Sequence, residues 1–149
     1  MPRAQSIVYR NNRILMVKHH DQNTEWWCLP GGGIHEEESP SDAALRELAE
    51  ECNVTGAIVR ATSVVMYAQD DCHYTFLVDI GLQEPFLGHD PEFSDREQIL
   101  AEMRWLTLEE IPERDRAFLW SAGLLGVGQF ARVVESWGGE VSCPQAIGA

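Results

Sequence analysis

The sequence predicts an α/β fold, and three observations predict it. Short apolar runs rich in β-branched residues stand on both sides of one amphipathic helix at about 40–52. That helix is bracketed by unambiguous start and stop signals. A second, mostly helical segment follows near the C-terminus, at about 114–137. A chain of 149 residues is expected to form one domain over 1–149, with a loosely ordered tail from about 138.

Ser6-Ile7-Val8-Tyr9, a turn at Arg10-Asn11-Asn12-Arg13, and Ile14-Leu15-Met16-Val17 read as a hairpin. Lys18-His19-His20 then lead into a polar loop at Asp21-Gln22-Asn23-Thr24. The histidine pair has no third ligand at zinc spacing, so it reads as a surface loop or a phosphate contact. Trp26-Trp27-Cys28-Leu29 is a short apolar strand that delivers the chain to a Gly-rich turn, Pro30-Gly31-Gly32-Gly33. One tryptophan is expected in the core, and Trp27 is a candidate to line a site, against packing in the core or rim.

Ser39-Pro40-Ser41-Asp42 reads as an N-cap with proline at the first helical position. At the other end Asn53 can adopt the positive φ that stops a helix. At 100° per residue, Glu50 lies about 60° to one side of Glu47 and Glu51 about 40° to the other, so the three carboxylates share an arc of about 100°. Leu45, Leu48, Ala49 and Cys52 cluster opposite, which is the side a helix buries. The carboxylate face is therefore expected to look outward over a groove. Like charges at 47 and 51 cost about 0.2–0.5 kcal/mol, and Arg46, four residues before Glu50, offsets part of it.

After the helix, 57–67 reads as a long strand, Asp70-Asp71 as a turn, and 74–80 as the returning strand of an antiparallel pair. Residues 83–97 form a long loop without periodicity, the kind that often carries specificity. Residues 102–106 are a last strand, followed by a helical turn at 107–111. The C-terminal helical segment is apolar on more than one side, interrupted by Gly123, Gly126 and Gly128. It would cover the sheet, and its surplus apolar surface could serve a homodimer contact.

The formal charge of −13 argues against non-specific binding to nucleic acid or to anionic membranes, which need basic patches. No apolar run reaches the length of a membrane span. Cysteines 28, 52, 72 and 143 form no C-x-x-C pair, so reduced thiols and a cytoplasmic location are expected. Divalent cations are the natural adaptor between a carboxylate-rich site and an anionic ligand. Three glutamates on one face can supply oxygen ligands to Mg²⁺ or Mn²⁺, and two such ions could bridge a diphosphate and activate a water.

The stretch resembles the signature of the Nudix (MutT-like) hydrolases, Gly-x5-Glu-x7-Arg-Glu-U-x-Glu-Glu-x-Gly-U, where U is a bulky aliphatic residue. Gly32, Glu38, Arg46, Glu47, Leu48, Glu50, Glu51 and Val54 fall on it in register, and Asn53 stands where the family has glycine. The resemblance implies an α/β/α sandwich with a mixed, curved β-sheet. It also implies metal-dependent hydrolysis of a diphosphate bond in a nucleoside diphosphate linked to another moiety, such as a nucleotide sugar, an ADP-ribose-like compound or a nucleoside triphosphate. By the same analogy Glu50 and Glu51 are the main metal ligands, Glu47 a further one, and Gly32 a donor through its backbone carbonyl. Glu38 either reaches a second ion through water or braces the loop, and Arg46 orients the glutamates. The general base is a glutamate of this stretch or one from elsewhere, for which Glu97 and Glu102 are the candidates. Arg13, Lys18 and Arg104 are candidate phosphate contacts, and Tyr67, Tyr74 or Phe76 candidate stacking partners for a base. The markers associated with the ADP-ribose and dinucleoside polyphosphate branches are absent. The alternative is a non-catalytic domain that senses a nucleotide, although such domains tend to lose the glutamates kept here.

Overall fold

Ile14, Leu15, Met16 and Val17 are all fully buried, and their alternation explains the layering. Successive side chains of a strand point to opposite faces. Ile14 and Met16 join a core with Ile7, Leu77, Leu119, Leu124 and Phe130. Leu15 and Val17 join another with Val8, Leu48, Cys52 and Val78. A strand covered on both faces reads as a continuous apolar run. The expected α/β/α sandwich is present.

The computed structural model describes residues 1–88 and 100–138. Its strands are β1 (Arg3–Ile7), β2 (Tyr9–Arg10), β3 (Arg13–Asp21), β4 (Thr24–Cys28), β5 (Gly31–Gly33), β6 (Ala57–Ala68), β7 (Asp71–Asp79) and β8 (Leu100–Leu106); its helices are α1 (Pro40–Cys52), α2 (Glu113–Ser121) and α3 (Gly128–Glu135). Short 3₁₀ turns occupy Leu108–Glu110 and Leu124–Gly126. The strands form two four-stranded sheets, one in the order β5-β1-β7-β6 and the other with β3 between β2 and β4 and also pairing β8. The first sheet is mixed, because β1 runs parallel to β7 and antiparallel to β5. No helix among the described residues is long and apolar enough to cross a membrane.

Three local expectations change. The expected hairpin keeps its turn, with Arg10 opposite Arg13, but Ser6 and Ile7 belong to β1 and the other sheet. The polar loop at 21–24 shrinks to a two-residue turn, because β3 and β4 stay paired out to Asp21 and Thr24. The Gly-rich turn is a strand, with Gly31, Gly32 and Gly33 opposite Gln5, Ala4 and Arg3. The tight turns are made by polar residues at positive φ, Asn11, Gln22 and Asp70; the short side chains of Asn11 and Asp70 suit that conformation.

Helix α1 begins and ends where its signals place it. The Ser39 hydroxyl accepts the Asp42 N–H at 3.1 Å, Pro40 opens the first turn, and Asn53 closes it at φ 56, ψ 39 with its N–H donated to Ala49. Gly123, at φ 91, ends α2 against β6, where a Cβ would stand 2.5 Å from the Thr62 carbonyl oxygen. The loop from 83 is described as far as Gly88. Phe86 and Gly88 donate their N–H groups to the Cys52 and Glu51 carbonyls at the end of α1, and residues 89–99 lie outside the described residues.

Close approach explains Gly31. A Cβ there would meet the Ala4 carbonyl oxygen at 2.5 Å and the Gln5 Cβ at 2.6 Å. Those are backbone and near-backbone atoms of the paired strand and cannot rotate away. Gly31→Ala is expected to cost about 1–3 kcal/mol, measured as a lowered urea midpoint; an unchanged midpoint would refute this packing.

Candidate active site

The charged face of α1 does not look outward. Glu47 is 2% exposed and Glu51 1%, while Ala49, expected on the buried side, is exposed. The reason lies in β5, an edge strand. The Pro30 carbonyl accepts the Ser6 N–H and Ile34 donates its N–H to the Pro2 carbonyl just before β1, so antiparallel alternation turns Gly32 toward β1 and leaves the polar groups of Gly31 and Gly33 at the open edge. Buried backbone groups need partners, and α1 provides them. Glu51 Oε1 accepts the Gly31 N–H at 2.7 Å, and Arg46 Nη2 donates to the Gly33 carbonyl at 2.9 Å. Gly32 leaves room for the third carboxylate, since a Cβ there would lie 2.4 Å from Glu47 Oε1.

Arg46 is the hub of the site. Its Nε and Nη2 grip both oxygens of Glu38 at 2.8 and 3.0 Å. Its Nη1 donates to Glu47 at 3.0 Å and to Glu50 at 3.2 Å. Glu38 also accepts the His35 N–H at 3.0 Å, so its carboxylate ties the loop to the helix. The Arg46 guanidinium, helped by that N–H, holds the Glu38 carboxyl down at about 2 against an ordinary 4.5, and the same pair pushes Arg46 further up.

A carboxyl whose pKa is lowered on folding stabilises the fold fully above its unfolded value. That contribution is lost as pH falls through the folded value. Here the window runs from about 4.5 down to about 2. Glu38→Gln is expected to lower stability at neutral pH by on the order of 2 kcal/mol and to flatten the acid limb of the stability curve in that window. Urea midpoints across pH measure both. An acid limb that still matches the parent's would sink the assignment.

Carboxylate and carbonyl oxygens suit hard cations such as Mg²⁺ and Mn²⁺, and Arg46 neutralises one of the three charges it touches. The donor types therefore fit a divalent ion. Among the described residues, however, no three acidic or metal-ligating side chains already converge on one point. Glu47 and Glu50 share the Arg46 Nη1 donor, which sets their orientation. Gly32 is the expected ligand that the strand geometry disfavours; the carbonyl at the open edge beside Glu51 is that of Gly31.

A cleft of about 570 Å³ lies between the two sheets. Arg3 and Gln5 of β1, Tyr67 of β6 and His73 of β7 form one side, Trp26 and Trp27 of β4 the other, and Arg114, Asp115 and Phe118 of α2 close it. Asp115 is 4% exposed; it accepts the Trp27 N–H at 3.0 Å and Arg114 Nε at 3.1 Å, capping the edge of β4. Cys28 connects cleft and helix. Burial pushes its thiol up, the Glu51 charge adds to that, and the Arg3 charge opposes it.

Of the residues expected at a site, the structure gathers Arg46, Glu47, Glu50, Glu51 and Glu38 and places Trp27 and Tyr67 in the cleft. Arg13 sits at the β2–β3 turn and Arg104 on β8 beside Glu102, neither in the cleft lining. Glu102 pairs with Lys18 at 3.6 Å, while Glu97 lies outside the described residues. Tyr74 is not in the lining, and Phe76 packs toward α1. His19 stacks on Trp26 at 5.6 Å, and His20 meets Glu25 at 3.2 Å. Cys28, Cys52 and Cys72 are free thiols. Arg3, His73, Asp115 and Phe118 were not singled out from sequence. Arg3 and His73 meet only through the β1–β7 pairing, which leaves no local signal.

The sequence pattern of the NUDIX domain matches residues 1–125. Diphosphoinositol polyphosphate phosphohydrolase 3-alpha of Mus musculus is 30% identical over 111 residues, 72% of this chain and 65% of that protein. An RNA pyrophosphohydrolase of Rhizobium meliloti is 36% identical over 88 residues, 56% of this chain and 50% of that protein. The chain thus spans just under two thirds of the first of these relatives. Among solved structures, a NUDIX hydrolase from Nitrosomonas europaea superposes with TM-score 0.64 at 21% identity, covering 98% of this chain and 77% of that one. A C. elegans Ap4A hydrolase superposes at 0.62 and 19%, covering 90% and 98%. At such identities the structures attest the fold, and the match over residues 1–125 attests the family: this chain belongs to the NUDIX domain family.

Proposed function

We propose that the chain hydrolyses a phosphoric anhydride bond in a nucleoside diphosphate linked to another group, using Mg²⁺ or Mn²⁺. One observation carries the reading: glutamates 47, 50 and 51 are brought with Arg46 to the open edge of β5, whose neighbour β1 contributes Arg3 and Gln5 to an aromatic-walled cleft. Glu50 and Glu51 are the main ligands, Glu47 a further one, and the Gly31 carbonyl the backbone donor at that edge. A bound cation would polarise the phosphoryl oxygens and acidify a water. Arg46 holds the carboxylates in place and Glu38 holds Arg46. Positioning and charge stabilisation are most of what phosphoryl transfer demands.

Trp27, Trp26 and Tyr67 offer faces for a base, and Arg3 and Arg114 offer positive charge. The named relatives act on a diphosphoinositol polyphosphate and on RNA, and a structural neighbour on Ap4A, which supports the reaction class and leaves the organic group open. A nucleotide-sensing module is the second reading; retention of Glu38, Glu47, Glu50 and Glu51 favours catalysis. Nucleoside triphosphates, nucleotide sugars, ADP-ribose and dinucleoside polyphosphates incubated with Mg²⁺ or Mn²⁺ test it, with phosphate-containing products as the readout. Binding without turnover across that panel would favour the sensor.

A further inference from the structure

Two arginines line the cleft, and they differ in their commitments. Arg114 is bound to Asp115 at 3.1 Å and to the Glu25 carbonyl at 2.9 Å. Arg3 is exposed and has no carboxylate partner among the described residues, although the chain carries 24 acidic residues against 11 basic ones. The pairing of β1 fixes where Arg3 stands. Gly33, Arg3 and His73 lie in one row across β5, β1 and β7, at about 4.8 Å per strand. The backbone of Arg3 is therefore about 5 Å from the strand that borders the carboxylates, and that of His73 about 10 Å. Ala4, the next residue, packs on Ala43 and Ala44 of α1, so alternation directs Arg3 to the opposite face, where the cleft lies.

His73 closes the far side of this space. Its Nε2 is held by Asp71 at 2.8 Å, and its ring packs edgewise on Tyr67 at 4.7 Å. The Tyr67 hydroxyl is in turn hydrogen-bonded to Ser121 of α2. The wall is fixed, and the guanidinium beside it is left for a ligand.

We propose that Arg3 binds a substrate phosphate beyond the two joined by the bond that is cut, so that a chain of three or more phosphates is preferred over a diphosphate. This rests on the hydrolase reading of the same site. A guanidinium grips a phosphate through two parallel hydrogen bonds. In a molecule of charge −13, one cation at that point separates longer phosphate chains from shorter ones.

The test compares the wild type, Arg3→Met and Arg3→Lys by calorimetry in Mg²⁺. The probes are a non-cleavable imido analogue of a nucleoside triphosphate and a non-cleavable methylene analogue of a nucleoside diphosphate. Tighter binding of the triphosphate analogue by the wild type is expected, together with a loss of at least about tenfold in Arg3→Met, partial recovery in Arg3→Lys, and little change for the diphosphate analogue. Equal affinities in wild type and Arg3→Met, or equal losses for both analogues, would overturn the proposal. Hydrolysis of the substrate panel is scored separately. Discrimination without hydrolysis would remove the catalytic reading and leave the Arg3 site standing, whereas hydrolysis without discrimination would do the reverse.

Discussion

Glu51→Gln is expected to lower kcat by at least about 100-fold, because in the proposed reaction it removes a metal ligand and with it charge stabilisation of the transition state. The substitution is conservative in shape. Glu51 is 1% exposed, and a glutamine amide oxygen can still accept the Gly31 N–H that Glu51 Oε1 accepts at 2.7 Å. The fold should therefore survive, and thermal unfolding would confirm that it does. Steady-state rates with Mg²⁺ then separate chemistry from folding. Turnover close to the parent's in a folded Glu51→Gln protein would reject the assignment of the site.

Arg46→Ala should show the largest loss of stability, about 3–5 kcal/mol, since it strips the positive partner from part-buried carboxylates. Glu38, Glu47, Glu50 and the Gly33 carbonyl would lose their shared donor together. Arg46→Lys should recover part of this, because lysine restores the charge but not the planar fork that spans Glu38. Urea unfolding of both variants measures the effect. A double-mutant cycle with Glu38→Gln should give a coupling of about 0.5–3 kcal/mol. A loss below about 1 kcal/mol in Arg46→Ala would mean that the hub is an ordinary surface ion pair.

Much of α1 was legible from its own residues. Ser39, Pro40 and Asn53 act within four residues of the backbone groups they satisfy, so their roles can be read without knowing the rest of the fold. The break at Gly123 is equally local. The strands were less legible in their partners than in their existence. Ser6 and Ile7 look like one arm of a hairpin, yet they pair with Phe76 and Leu77, and nothing within a short window distinguishes those choices. From sequence Gly31–Gly33 reads as a turn because glycine usually marks one. Here glycine answers close approach, of the β1 backbone at Gly31 and of the Glu47 carboxylate at Gly32.

The sequence by itself determined that three carboxylates share one side of a capped helix, and which residues start and stop it. Helical periodicity and capping chemistry depend only on spacing along the chain. Which way that side faces was decided by tertiary structure. An arc of charge reads the same whether it meets water or the open edge of a strand, and only the docking of α1 on β5 turned it inward. The meeting of Arg3 with His73 was likewise settled by the parallel pairing of two strands 70 residues apart, a contact that no local pattern encodes.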